Sequence, residues 1–195
     1  GGAAAKLLLD LGYRHLILCD KDGILVPGTP GQPSHHEELA ARTNPEKRTG
    51  TLAEALVGAD VFIGVSRPGL VTGAMVETMA KDPVILAMAN PVPEIMPDEA
   101  LAHGAAVVGT GRSDFPNQIN NVLVFPGLFK GALSCGAVQI TEGMKYAAAQ
   151  ALADMVAPED LSPTCILPSP LNRAAADAVA NAVAAEARRT GHARF

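Results

Sequence analysis

The sequence predicts an α/β protein with a doubly wound, mostly parallel sheet followed by a helical C-terminal part. Three observations support that class. Short continuous apolar runs alternate with helix-forming segments, as strands covered on both faces require. Each run ends in a polar or Gly/Pro-containing turn, and past Asn121 the short runs give way to longer helical patterns.

Ala3 to Leu11 has helix-forming composition and stops at Gly12, a good residue just past a helix end, after which His15-Leu-Ile-Leu-Cys19 reads as a buried strand ending at Asp20. Val26 to Pro33 is a Pro- and Gly-rich loop, followed by a helix from Ser34 to Ala41. The alternation then continues. Helices are expected at Thr51 to Leu56, Val71 to Ala80 and Pro97 to His103, and strands at Val61 to Val65, Val84 to Met88 and Ala105 to Val108. Thr141 to Met155 and Asn172 to Arg189 are long helices, with Cys165 to Leu167 a short strand between them. The spacing of Val179 and Val183 suits a packed helix, so the Ala-rich end is not low complexity.

The 195 residues, 48% of them hydrophobic, suffice for a full core, and one compact unit is expected. The 20 acidic and 15 basic residues are scattered without long runs, which argues against a nucleic-acid surface. Cys19, Cys135 and Cys165 are far apart and odd in number, so neither a disulfide framework nor a structural zinc site is suggested. That cysteine pattern makes a reducing cytoplasm the simplest compartment; no apolar run is long enough to span a bilayer, and no targeting signal is visible. The sequence opens on Gly1-Gly2 without an initiating Met and reads as N-terminally truncated.

In an open parallel sheet, ligands bind beyond the carboxyl ends of the strands. The exits here read Asp20-Lys-Asp-Gly23, Ser66-Arg-Pro-Gly69, Ala89-Asn-Pro-Val-Pro-Glu94, Thr110-Gly-Arg-Ser-Asp114 and Pro168-Ser-Pro-Leu-Asn172. The first four outline one crevice. Asp20 lies where dinucleotide-binding folds place the acid that hydrogen-bonds the adenosine ribose, and Gly1 would then be the last glycine of the G-x-G-x-x-G turn. An Asp at a strand end is also an ordinary turn or cap residue. Asn120 and Asn121, beside apolar Val122 to Val124, either recognise a ligand carboxylate or carboxamide or cap a helix.

Other chemistries fit poorly. His35 and His36 are adjacent rather than a turn apart, so one helix face cannot present both to a metal. Gly109-Thr-Gly-Arg-Ser113 lacks the lysine and glycine spacing of a phosphate loop, and neither Ser66 nor Ser113 has a recognisable His and acid partner. The six methionines are most simply core filler.

At Val65-Ser-Arg-Pro-Gly69, Ala89-Asn-Pro-Val-Pro-Glu94 and the run from Thr110 through Asn120-Asn121 to Phe125-Pro-Gly127, the chain closely resembles the NAD-binding domain of bacterial malic enzymes. The likeness runs in order from Leu7-Leu-Leu-Asp-Leu-Gly12 to Ile166-Leu-Pro-Ser-Pro170. The resemblance implies a Rossmann-like fold over 1–195 and oxidative decarboxylation of malate to pyruvate and carbon dioxide, with NAD or NADP as hydride acceptor and Mg or Mn as metal. By that similarity Asn90 contacts malate or the nicotinamide end, Asn121 malate, Asn120 the cofactor and Asp20 the ribose. Gly1, Ser66, Pro68 and Gly69 line the dinucleotide. The family's proton-handling Tyr and Lys and its metal ligands are expected in a catalytic domain outside this sequence, so no catalytic or metal-binding residue is assigned here and the isolated chain should not turn over malate. Tyr13 and Tyr146 do not match the catalytic tyrosine's motif. The parent is expected to be a homo-oligomer, a dimer first. An amino-acid dehydrogenase-like cofactor domain and a non-catalytic nucleotide sensor are the alternatives.

Overall fold

A computed structural model describes residues 1–195 as two compact units, Gly1–Val107 and Val108–Phe195. In the first unit, helix α1 (Gly2–Asp10) ends as expected at Gly12, whose φ of 95° suits glycine. The Tyr13 amide reaches Leu8 O (3.0 Å) and the Gly12 amide reaches Leu9 O (3.1 Å), the paired bonds of a Schellman cap. Ala5 and Leu9 of α1 bury against Leu39 of α2 (Ser34–Thr43).

The expected strand His15 to Cys19 is not formed. Only Cys19–Asp20 (β1) is strand, and it pairs antiparallel with Gly23–Ile24 (β2) in a tight hairpin outside the main sheet. A strand needs a neighbour's backbone as well as apolar side chains, and His15 to Ile17 have no ladder partner. Gly23 is required at the hairpin: its φ is 111°, and a β-carbon there would lie 2.3 Å from Gly50 O.

Helix α3 (Leu52–Leu56) starts where Thr51 and Glu54 cap one another, Thr51 Oγ1 accepting from the Glu54 amide (3.3 Å) and Glu54 Oε2 from the Thr51 amide (2.7 Å). Next come β3 (Val61–Gly64), α4 (Gly73–Glu77), β4 (Val84–Ala87), α5 (Pro97–Ala102) and β5 (Val107–Thr110), which build a parallel sheet in the order β3-β4-β5. Val61 is in register with Val84 and Gly64 with Ala87. The α/β class is therefore as the sequence predicts.

Three details differ. Helix α4 is half the expected length, beginning only where Thr72 supplies its N-cap oxygen. Strand β5 starts two residues late, because the Ala105 amide still closes the α5 cap on Ala100 O (3.0 Å) beside Gly104 at φ 96°. Burial on both sheet faces does not hold for β3, where Val61 and Ile63 are 48% and 36% exposed while Phe62 is buried.

The second unit begins with the rest of β5, from Val108, and is otherwise helical: a one-turn 3-10 helix at Asn121–Leu123, then α6 (Phe125–Ser134), α7 (Glu142–Ala153) and α8 (Ala174–Arg189). Their core holds Leu123, Leu128, Met144, Leu152, Val179 and Val183. The strand expected at Cys165 to Leu167 reduces to a single bridge between Ser162 and Cys165, since the turn closes on itself and the Ile166 amide goes to a side chain instead.

Candidate functional site

In the first unit, the exits of β3 and β4 meet around one residue to which the sequence reading gave no role. Glu94 is fully buried, and its carboxylate accepts from the Ser66 amide (2.7 Å) and the Ala89 amide (3.0 Å). Its carbonyl accepts from the Val71 amide (3.0 Å), and the carbonyl of Pro93 from the Gly69 amide (3.2 Å). The Ser66 to Gly69 turn and the Asn90 to Glu94 loop, which contains a cis Asn90–Pro91 bond, are thus brought together. Ser66, Pro68, Gly69 and Asn90 themselves stay exposed, as do Val65 and Val92 beside them. Gly1 joins this edge, for a β-carbon on it would lie 3.6 Å from Val65 Cγ2.

Exposed backbone turns, one free-facing amide side chain and apolar patches are what a dinucleotide needs: donors for phosphate, a partner for ribose or carboxamide, and a face for the rings. Asp20 is exposed at the β1–β2 hairpin, where its Oδ1 accepts from the Asp22 amide (2.8 Å) and its Oδ2 lies 3.7 Å from His36 Nδ1. Lys21 pairs with Asp22 (2.5 Å) rather than with Asp20. Burial pushes the neighbouring Cys19 thiol up to about 11; the Asp20 charge adds to the effect and Arg48 opposes it.

In the second unit, Asn120 caps the 3-10 helix, its Oδ1 accepting from the Val122 amide (3.0 Å). Asn121 is exposed and makes no side-chain hydrogen bond. The two amides therefore differ already in this chain: one holds the backbone and the other faces outward. Asn117, unnoticed in the sequence, is the better-satisfied amide. Buried at φ 54°, it donates to Val108 O (3.0 Å) and Pro163 O (2.8 Å) and accepts from the Ile166 amide (3.0 Å). Arg112 forks onto Asp114 at 2.9 and 2.6 Å and holds its carboxyl below the usual range, so its guanidinium is engaged within its own loop.

The family model for "Malic enzyme, NAD binding domain" matches residues 5–188. The chain belongs to the malic enzyme family, as its NAD-binding domain. The bifunctional malic/malolactic enzyme of Bacillus subtilis (strain 168) is 51% identical over 196 residues, covering 100% of this chain and 48% of that protein. An NADP-dependent malic enzyme of Rhizobium meliloti (strain 1021) is 43% identical, covering 99% of this chain and 28% of that protein. Among solved structures, the NAD-dependent malic enzyme of Thermotoga maritima superposes with a TM-score of 0.88 at 42% identity, over 94% of this chain and 48% of that one. The malic enzyme of Pyrococcus horikoshii gives 0.91 at 40% identity, over 100% and 47%.

The malic enzyme domain thus spans at most about half the length of these relatives. Within it, no group of three or more His, Cys, Asp or Glu side chains is placed to hold a metal ion. Glu94 and Asn117 escaped the sequence reading for one reason. Each lies inside a motif that was quoted, but its burial and its partners up to 49 residues away exist only after folding.

Proposed function

We propose that this chain is the cofactor-binding part of an enzyme that oxidatively decarboxylates malate to pyruvate and carbon dioxide, passing a hydride to NAD or NADP. The observation that carries the reading is the match to the malic enzyme cofactor domain over residues 5–188, on a chain whose β3 and β4 exits leave Ser66 to Gly69 and Asn90 exposed together. Asp20 takes the ribose hydroxyls, Gly1 and the Ser66-Arg-Pro-Gly69 turn line the dinucleotide with Pro68 fixing the turn's backbone, and Asn120 contacts the cofactor. Asn90 and Asn121 hold the substrate carboxylate or the carboxamide, since a neutral amide binds an anion without offering the hydride a competing acid. Mg or Mn belongs to the intact enzyme, bound by residues other than those of this chain.

The family match decides against the amino-acid dehydrogenase-like alternative. Cytoplasmic location and a homodimer complete the proposal. No helix is long and apolar enough to cross a membrane. The test is a titration of the whole protein with NADH and NADPH, alongside its malate-dependent cofactor reduction with Mg or Mn. Binding and turnover are expected. Binding without turnover in the whole protein would make the domain a nucleotide sensor, and absence of binding would overturn the assignment of the strand exits.

A further inference from the structure

We infer that Glu94 is a positioning residue of the dinucleotide site: its carboxylate, inserted between the diverging ends of β3 and β4, sets where the Ser66 to Gly69 turn and Asn90 stand. The inference rests on the reading of these strand exits as the cofactor site.

The ladder between β3 and β4 runs to the pair Gly64 and Ala87, and one more bond joins the Met88 amide to Gly64 O (3.0 Å). Beyond it the strands part. Ser66 and Ala89 have lost their strand partners at this point, and each amide is taken by one oxygen of Glu94. The carboxylate takes both amides where the ladder has ended, at the carboxyl edge of the sheet where ligands bind in such folds.

The residue type is dictated by the donors. A carboxylate presents two acceptor oxygens and no hydrogen, whereas a glutamine of the same shape must turn an NH2 toward one of the amides. The neighbouring position is dictated as well: a β-carbon on Gly64 would lie 2.5 Å from the Glu94 carboxyl carbon. Glu94 makes no ion pair, so its buried charge is met by backbone amides alone. Burying a carboxylate is costly, and two loops are joined more cheaply by apolar packing. The cost is accounted for by the site, because Glu94 holds the turns but leaves Ser66 and Asn90 themselves exposed to ligand.

The test is NADH titration, well below the melting temperature, of the whole protein as parent and of its Glu94→Gln, Asn90→Ala and double variants. Loss of one charge-assisted bond and repulsion at the second amide predict about tenfold weaker binding for Glu94→Gln. In the Asn90→Ala background the same change should cost less than about threefold, because one group it positions is gone. Unchanged NADH affinity in a folded Glu94→Gln chain overturns the positioning role and leaves the cofactor site standing, and an equal loss in both backgrounds overturns the part of the role that concerns Asn90. A parent chain that does not bind NADH overturns both. Should Glu94→Gln not fold, Glu94→Asp, which keeps both acceptors but withdraws them by one methylene, is titrated in its place: weaker binding supports the role, and parental affinity overturns it.

Discussion

Gly127 of α6 lies directly on Val179 of α8, so that a β-carbon at Gly127 would stand 2.6 Å from Val179 Cβ and 2.7 Å from Ala176 O. Gly131, one turn on, meets Ala180 O at 2.5 Å in the same way. Small residues here let two helices approach to backbone contact, with Val183 filling the core behind them.

Gly127→Ala and Gly131→Ala should each destabilise the chain by about 1–3 kcal/mol, because the overlap is with backbone and Cβ atoms that cannot rotate away. Alanine's better helix propensity, about 0.5–1 kcal/mol, offsets only part of that. Gly143→Ala is the control: its new methyl meets only the flexible end of Glu186. Thermal melts of the three variants should separate the first two from the third.

Asn117→Gly should cost about 3 kcal/mol, since it abandons two carbonyls and one amide in a buried setting while keeping the φ of 54° available. Asn117→Ala should be worse by about a further 1 kcal/mol for the left-handed backbone. Denaturant unfolding of both variants gives the difference; equal stabilities would mean the backbone relaxes at this position.

Asp20→Ala should weaken NAD more than NADP, narrowing the preference between them, because it removes a ribose acceptor and relieves repulsion of a 2′-phosphate. Lys21 pairs with Asp22 next to Asp20. Parallel titrations with the two cofactors provide the ratio, and a ratio unchanged from the parent would reduce Asp20 to the turn residue that its bond to the Asp22 amide also makes it.

Cys19 should resist alkylation at neutral pH, its rate climbing with pH until about 11. The stability effect has a definite sign. The folded state keeps the proton longer than the unfolded chain, whose thiol titrates near the ordinary 9.0, so stability should fall as pH rises from there toward 11. Asp20→Ala should speed alkylation, since the Asp20 charge contributes to the upward shift. Iodoacetamide rates across that pH range check both statements.

Asn121→Ala should leave the melting temperature nearly unchanged, because the side chain is exposed and holds nothing in this chain. In the whole protein it should lower kcat/KM for malate by about ten- to a hundredfold, the worth of one hydrogen bond to an anion. Asn120→Ala should instead destabilise by about 1 kcal/mol through loss of the cap on Val122. Kinetics and melting on the same preparations distinguish the two residues; near-parental malate kinetics for Asn121→Ala would remove it from the substrate site.

The alternation of apolar runs and helices, the stop at Gly12, and the placing of Ser66 and Asn90 just past strand ends were legible in the sequence by itself. Those features depend on local patterning: hydrophobic period, turn residues and neighbours a few positions away. Tertiary structure alone decided which apolar run becomes a strand. His15 to Ile17 has the composition but no backbone neighbour, and Val107 to Thr110 starts late because a helix cap uses the residues before it. It also decided that Glu94 and Asn117 organise their surroundings, since a carboxylate or amide takes its role from the donors and acceptors that surround it. The amide that meets Asn117 Oδ1 is 49 residues along the chain, and the Ser66 amide that meets Glu94 is 28 residues away. Spacing in sequence carries no trace of such distances until the backbone has folded.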